Sequence, residues 1–404
     1  MGKPLNNSPE MRLATFKWAF SRFFVLIVVL AVGLTSCSNY SQEVSENGAE
    51  ELSDQSSHLQ DGEGNVGMGS AVAGTHLEDS SESSDELIWM KNMRFLDESG
   101  TSLTRELRGT GIQQVVIDIG EMTFNALLAG PEDGTPIMLL HGFPSTNYQY
   151  RSQIIALADA GFLVFAPNQR GYSPLARPIG IENYSADLLV EDIDLIASAL
   201  NWSRFHLVGH DWGALIAWAY GGTHPEKLIT LTPISVPHPE AFAIALADPS
   251  GIQAEMSSYI DFFKELESEN AFLANDGELL RSIYESANLS QNEIEPYFEV
   301  LGNPEALGAA LNWYRAKDFY PEINQDTGRR TDTPDINVPT MYVWSTEDTA
   351  LGKQGAELTA EYVSGEYRFE VFEGINHWVT EVASTELNAA LIDFLSTHPS
   401  EHGS

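Results

Sequence analysis

Three side chains stand far apart in the sequence but could act together in nucleophilic catalysis: Asp211, Asp348 and His377. Asp211 is the central residue of GHDWG, residues 209–213, which directly follows the apolar run RFHLV. A carboxylate can attack an electrophilic carbon, and a histidine oriented by a second carboxylate can activate water. Nucleophile, acid and then histidine is the chain order expected when the nucleophile sits on a tight strand-to-helix turn. The spacing therefore predicts a catalytic site with Asp211 as the nucleophile.

Each of these residues also has a purely structural alternative. Asp211 and Asp348 could each cap a helix, and His377 could be an ordinary loop histidine. Glu347, next to Asp348, is a rival candidate for the catalytic acid. However, each of the three lies just past the carboxyl end of a predicted strand. Their joint occurrence in this order favours the catalytic interpretation.

A second short stretch, HGFP at residues 141–144, follows the apolar run PIMLL. A glycine-containing turn after a strand can present a backbone N–H toward a nucleophile on the neighbouring strand. The N–H groups of Phe143 and Trp212 are therefore predicted to form an oxyanion hole, although an ordinary loop turn would also explain the stretch.

The elements that must position these residues alternate along the chain. QQVVIDIG and MTFNALLAG predict a hairpin, and five later apolar runs of similar length predict strands: PIMLLHG, FLVFAPN, RFHLVGH, KLITLTPIS and PTMYVWS. YRFEVFEG predicts a last strand. QIIALADAG and ADLLVEDIDLIASALN have helical spacing and end at Gly161 and Asn201. Strands that alternate with helices indicate an α/β fold with a mostly parallel sheet flanked by helices.

Residues 236–334 break this alternation, because their pattern is helical and acidic with no convincing strand. We expect them to form an inserted cap over the carboxyl ends of the strands, where open parallel sheets bind ligands. The core of the fold is then expected to comprise residues 87–235 and 335–404.

The first 36 residues have the pattern of a signal peptide. Four basic residues precede an apolar run at residues 23–34 that is shorter than a bilayer span: Lys3, Arg12, Lys17 and Arg22. Cys37, the only cysteine, follows LTS and resembles the lipidated cysteine of bacterial lipoproteins. This resemblance implies an extracytoplasmic protein, lipid-anchored to a bacterial membrane through Cys37. A plain signal peptide or a short anchor is the alternative.

Residues 37–86 are rich in Ser, Gly, Asp and Glu and contain no Lys or Arg. Such a stretch has little apolar surface to bury and repels itself, so it is predicted to be a disordered acidic tether. The whole chain carries a net charge of −37. This charge excludes nucleic acid and anionic headgroups as partners, and it is typical of a solubilising or salt-adapted surface.

Six short stretches of the chain together resemble the epoxide hydrolase branch of the α/β-hydrolase family: HGFP, NQRGYS, GHDWGA, LNWYR, STEDTAL and GINHW. The resemblance covers roughly residues 112–397. It implies the α/β-hydrolase fold with a helical cap, a small hydrophobic epoxide as substrate, and no metal or organic cofactor.

The resemblance also implies a two-step reaction. Asp211 would open the epoxide and form an alkyl ester, which a water activated by His377, with Asp348 behind it, would hydrolyse. Two cap tyrosines, Tyr314 and Tyr259, would give a proton to the departing ring oxygen.

The resemblance further implies a pocket lined by His141, Phe143 and Trp212. The patterns contain no clustered metal ligands and predict no particular oligomeric state.

Two other functions remain open on the sequence. A haloalkane dehalogenase would resemble this chain in fold, in Asp211 and in His377, but it needs a second N–H donor for the departing halide. Phe143 has no such donor in its side chain, and Trp313 is the only tryptophan in the expected cap. A non-catalytic surface module on a hydrolase scaffold is the other alternative, although such a copy would usually have lost one of the three catalytic residues.

Overall fold

The structure, a computed structural model, describes residues 92–96, 100–316 and 335–399. The expected signal peptide, Cys37 and the acidic tether lie outside these ranges, as do residues 317–334 of the expected cap. Within the described ranges, no helix combines the length and the apolar character needed to cross a bilayer.

Nine strands form one sheet in the order β1-β2-β3-β5-β4-β6-β7-β8-β9. Their bounds are β1 Met93–Phe95, β2 Gln113–Ile119, β3 Met122–Ala129, β4 Thr135–Leu140, β5 Phe162–Pro167, β6 Phe205–His210, β7 Leu228–Ile234, β8 Thr340–Ser345 and β9 Tyr367–Phe372.

The first three strands are antiparallel, whereas β4 to β9 pair in parallel. The hairpin of β2 and β3 turns at Gly120, whose φ of 60° only glycine adopts without strain. Every residue of β5, β6, β7 and β8 is buried, as expected for parallel strands covered by helices on both faces. The predicted α/β-hydrolase architecture with a mostly parallel sheet is therefore confirmed.

Thirteen α-helices occur in the described part of the chain. They are α1 Ser102–Glu106, α2 Arg151–Asp159, α3 Ala186–Ala199, α4 Trp212–Thr223, α5 Pro239–Ala247, α6 Gln253–Met256, α7 Tyr259–Phe263, α8 Ser268–Ser286, α9 Gln291–Leu301, α10 Pro304–Arg315, α11 Lys353–Leu358, α12 Val379–Val382 and α13 Ser384–Ser396. Gly161 and Asn201, just beyond α2 and α3, have φ of 92° and 58°. Such left-handed residues commonly end helices, as the sequence predicted for both.

Among the described residues between β7 and β8 there are six helices, α5 to α10. We call residues 236–316 the helical insertion. α8 bends at Ala274–Gly277, where the backbone leaves helical geometry. The expected domain boundaries stay predictions.

Candidate active site

Asp211 directly follows β6 and precedes the first residue of α4. Its backbone has φ 54° and ψ −121°, which is an unfavourable conformation for a residue with a side chain. The flanking glycines are required by close approach: a Cβ on Gly209 would lie 2.2 Å from the carbonyl oxygen of Gly213, and one on Gly213 would lie 2.1 Å from that of Leu140. The turn is therefore as tight as the sequence predicted, and Asp211 is the residue at its tip.

The HGFP turn after β4 reaches the Asp211 carboxylate through its backbone. The N–H of Phe143 donates to Oδ1 of Asp211 at 2.8 Å. A Cβ on Gly142 would lie 2.4 Å from the same oxygen, so only glycine allows this approach. A backbone donor therefore holds one carboxylate oxygen and leaves Oδ2 for other contacts.

His377 lies between the two aspartates. Its Nδ1 is 2.8 Å from Oδ2 of Asp348, and its Nε2 is 3.5 Å from Oδ2 of Asp211. The other oxygen of Asp348 accepts the N–H groups of Ala350 and Leu351 at 2.8 and 2.9 Å. Asp348, rather than its exposed rival Glu347, thus contacts the histidine.

The charges of the site stabilise one another. Burial disfavours the charged form of His377, but the carboxylates of Asp348 and Asp211 outweigh it and raise the pKa of His377 to about 10. Burial likewise disfavours the Asp211 carboxylate, but His377, His210 and the Phe143 N–H together lower the pKa of Asp211. Asp211 is thus an anion at neutral pH, as a nucleophile must be.

His210, which no sequence pattern singles out, binds the backbone of His377. Its Nε2 is 2.9 Å from the carbonyl oxygen of His377, and the two rings are 4.9 Å apart. Burial, with the charge of His377, lowers the pKa of His210 to about 4, so its ring is neutral and Nε2–H donates. A histidine inside a strand has no sequence signal that distinguishes this role from plain packing.

Both predicted proton donors face the cavity that Asp211 lines. Tyr314 on α10 packs edge-on against Trp212 with ring centroids 4.7 Å apart, and Tyr259 is the first residue of α7. The remaining side chains of the lining are apolar except for the indole N–H of Trp212. The full set is Asp211, Trp212, Leu215, Val236, Phe242, Tyr259, Ile260, Tyr314, Ala350 and Leu351. The structure thus brings two phenols, one carboxylate and an apolar wall together.

His141 does not line this cavity, contrary to the expectation from sequence. Its ring is fully buried, and burial lowers its pKa to about 4. Nε2 accepts the backbone N–H of Gln169 at 3.1 Å, so Nδ1 carries the proton and donates to the carbonyl oxygen of Gly142 at 3.0 Å. His141 thus braces the HGFP turn from within.

Phe143 is likewise absent from the cavity lining, whereas Trp212 is part of it. The Phe143 ring packs edge-on against Phe263, Phe272 and Tyr314. The contribution of Phe143 to the site is therefore its backbone N–H.

Trp313 neighbours Tyr314 in sequence, but its indole N–H donates to a backbone group and its side chain does not line the cavity. Its indole N–H donates to the carbonyl oxygen of Arg170 at 2.9 Å. Arg170 in turn forms a buried two-point ion pair with Asp192, with distances of 2.6 and 2.7 Å. Among residues 92–96, 100–316 and 335–399, no group of three or more His, Cys, Asp or Glu side chains could hold a metal ion.

Comparison with known proteins identifies relatives over most of the described residues. The profile of the alpha/beta hydrolase fold family matches residues 135–383. A Bacillus subtilis protein, AB hydrolase superfamily protein YfhM, is 32% identical over 70% of this chain and 98% of its own length. Epoxide hydrolase A of Mycobacterium tuberculosis is 31% identical over 70% of this chain and 96% of its own length.

A solved structure gives the same result. The epoxide hydrolase of Bacillus megaterium, crystallised with an inhibitor, superposes with a TM-score of 0.63 at 25% identity. The match covers 70% of this chain and 99% of that structure.

Proposed function

Because this chain belongs to the α/β-hydrolase family and is an epoxide hydrolase-like enzyme, we propose that it opens epoxides to vicinal diols. One observation carries the proposal: the cavity that Asp211 lines is also lined by Tyr314 and Tyr259, and the His377–Asp348 pair adjoins the same carboxylate. A nucleophile, two proton donors and a water-activating pair are the groups that this reaction needs.

In the first step, Oδ2 of Asp211 attacks a ring carbon of the epoxide. We assign the attack to Oδ2 because Oδ1 accepts the Phe143 N–H. Tyr314 and Tyr259 donate to the ring oxygen as its bond to carbon breaks, because a phenol with a pKa near 10 retains its proton at neutral pH. The product of this step is an alkyl ester in which Oδ1 is the carbonyl oxygen.

In the second step, water attacks the ester carbonyl. Ester formation removes the negative charge of Asp211, which is one of the two charges that raise the pKa of His377. The pKa of His377 therefore falls, so the imidazolium can give its proton to the tyrosinate that the first step leaves. The neutral imidazole then takes a proton from the attacking water while Asp348 stabilises the cation. The negative charge develops on Oδ1, next to the Phe143 N–H and the start of α4 at Trp212. When the bond between Cγ and Oδ2 breaks, the departing diol oxygen takes the proton from His377, and the acid proton of Asp211 returns to His377.

The residue type at position 211 fits a saturated electrophile. A serine there would form an ether with the opened epoxide, and an ether has no carbonyl that water could attack. The aspartate ester does have one, so the enzyme can turn over repeatedly.

The helical insertion supplies both tyrosines, so we propose that it acts as the cap that excludes water from the reacting atoms. Its apolar contribution to the wall, which includes Phe242 and Ile260, favours a hydrophobic epoxide.

The hydrogen bonding of Trp313 disfavours dehalogenation of haloalkanes. A departing halide needs N–H donors, yet the indole N–H of Trp313 already donates to Arg170, and the Phe143 side chain has no donor. A purely binding role is disfavoured by the intact contacts of His377 with both aspartates.

The experiment is a single turnover of styrene oxide, with enzyme in excess, in heavy-oxygen water. The ester route puts the label into the Asp211 carboxylate and leaves the first diol unlabelled, because the diol oxygen comes from Asp211. Direct attack by water would label the diol and not Asp211, and this result would refute the mechanism. Halide release from a chloroalkane without diol formation from styrene oxide would instead favour the dehalogenase.

The location of the enzyme is a separate proposal, which rests on residues 1–86 alone. We propose that Cys37 is lipidated after signal cleavage and that the acidic tether holds the folded part outside the cytoplasm. Membrane fractionation of the wild type and of Cys37→Ala tests this. Equal membrane retention of both proteins would contradict lipid anchoring.

A further inference from the structure

Gln253, a buried residue of the helical insertion, binds the loop that carries Asp348. Its side-chain NH₂ donates to the carbonyl oxygen of Ala350 at 2.7 Å, and its Oε1 accepts the N–H of Gly352 at 2.7 Å. The second N–H of the amide donates to Ser257 Oγ at 2.9 Å. Every hydrogen of this amide is therefore used, in a side chain that is 2% exposed.

Gln253 and Asp348 bind different backbone groups of the same short segment. The Asp348 carboxylate accepts the N–H groups of Ala350 and Leu351, while Gln253 binds the carbonyl of Ala350. The short segment from 350 to 352 is thus held between the triad acid and the insertion. A shift of this segment would move the donors that orient Asp348, and with them the contact of Asp348 with His377.

The same side-chain amide also binds the backbone turn that leads into Tyr259. Ser257, which accepts the third bond, lies two residues before Tyr259, and its backbone N–H donates to the Gln253 carbonyl at 2.9 Å. Tyr259, Ala350 and Leu351 all line the cavity. Gln253 is therefore connected to a proton donor on one side and to the triad acid on the other.

We infer that Gln253 is a positioning residue that keeps the proton donor Tyr259 in register with the Asp348–His377 pair. The inference rests on the proposed function, because it assigns Tyr259 to ring opening and Asp348 to ester hydrolysis. Gln253 touches neither substrate nor reacting atoms, and it acts through two backbone groups and one hydroxyl.

The structure offers a matched control in Gln354. Its Nε2 donates to Asp248 Oδ2 at 2.8 Å and so also joins the insertion to the segment after β8. It makes no bond to the 350–352 segment among the contacts that the described residues show. Gln253→Met and Gln354→Met each remove one such link with little change in side-chain volume.

Rapid-quench kinetics with styrene oxide separates the two steps, since the Asp211 ester can be counted by mass spectrometry. We expect Gln253→Met to slow both ester formation and ester hydrolysis by about 10- to 100-fold, as small misplacements of catalytic groups do. Gln354→Met should change either rate by less than about twofold. A Gln253→Met enzyme with both wild-type rates would overturn the inference.

A second measurement does not depend on the reaction. The proton between His377 Nδ1 and Asp348 should give a downfield proton NMR signal in the resting wild-type enzyme and in Gln354→Met. In Gln253→Met, and in Gln253→Glu, whose carboxylate cannot donate to Ala350, the signal should broaden or disappear. Its persistence in a folded Gln253 variant would overturn the inference, whereas failure of the wild type to form any ester would refute the proposed function alone.

Discussion

The parallel sheet and the helical insertion contribute to one cavity by different means. The sheet presents Asp211 and Asp348 at the ends of strands, where backbone N–H groups fix the carboxylate oxygens at 2.8–2.9 Å. The insertion presents Tyr314 and Tyr259 on helices, where the rings contact aromatic neighbours with centroids about 5 Å apart.

The two kinds of contact differ in how tightly they define a position. Hydrogen bonds to backbone groups are short and directional, whereas aromatic rings pack favourably over a range of distances and angles. The sheet therefore fixes the positions of Asp211 and His377, the proposed nucleophile and its histidine. The insertion supplies Tyr314 and Tyr259, the proposed proton donors, and the shape of the cavity, which repacking can alter.

The largest effects are expected from the sheet residues. Asp211→Asn should lower turnover of styrene oxide on the order of 10⁴-fold or more, because it removes the nucleophile. His377→Gln should still open one epoxide per enzyme and then stop, because the ester cannot be hydrolysed. Mass spectrometry should find the ester in His377→Gln and not in Asp211→Asn, and the opposite pattern would reverse the two roles.

The two tyrosines of the insertion should act on the first step only. Replacing Tyr314 and Tyr259 together with Phe should abolish ester formation while leaving the fold intact, since neither ring is lost from the aromatic packing. Each single variant should retain partial activity, about 10- to 100-fold below the wild type, because one phenol still donates. Full activity in the double variant would refute the assignment of both donors.

A glycine in each region sharpens the comparison. Gly142→Ala should lower ester formation about 100-fold, because its Cβ would lie 2.4 Å from the Asp211 carboxylate and push it from position. Gly308→Ala, in α10, places its Cβ 3.2 Å from the end of the Glu269 side chain, which can shift slightly. Its rate should stay within about twofold of the wild type. Equal rates for both variants would show that the carboxylate has more freedom than its backbone contact indicates.

The smallest expected effect is on stability as a function of pH. The pKa of His377 is raised to about 10 in the folded protein from an ordinary value of 6.5, so its ion pairs stabilise the fold fully below pH 6.5. This contribution is lost as the pH rises toward 10. Urea unfolding should therefore show that the stability difference between wild type and His377→Gln shrinks between pH 7 and pH 10. A constant difference over that range would mean that His377 is neutral throughout.

The sheet and the proposed catalytic residues at its strand ends were largely predictable from sequence. Buried parallel strands leave continuous apolar runs, and Asp211 and Asp348 each follow such a run. The GHDWG stretch has glycines where a Cβ would lie within 2.2 Å of a backbone carbonyl oxygen, so the tight turn requires this residue type.

Other parts of the molecule leave no such pattern. β1 has only three residues, too few for a periodic signal. The family resemblance implied that His141 lines the pocket, but its ring turns inward to bond the backbone of Gly142 and Gln169. Gln253 bonds backbone groups almost 100 positions away, and such bonds do not constrain residue type at the other end.

The backbone of Asp211, with its φ of 54° and ψ of −121°, has a consequence for how this enzyme can change. A side chain in that conformation costs about 1–3 kcal/mol of folding free energy, which glycine would largely recover. The ion pair with His377 and the Phe143 N–H offset part of this cost. Glycine at position 211 would therefore exchange one stabilising contribution for another. The fold alone does not select the aspartate, and the requirement for it comes from the proposed reaction.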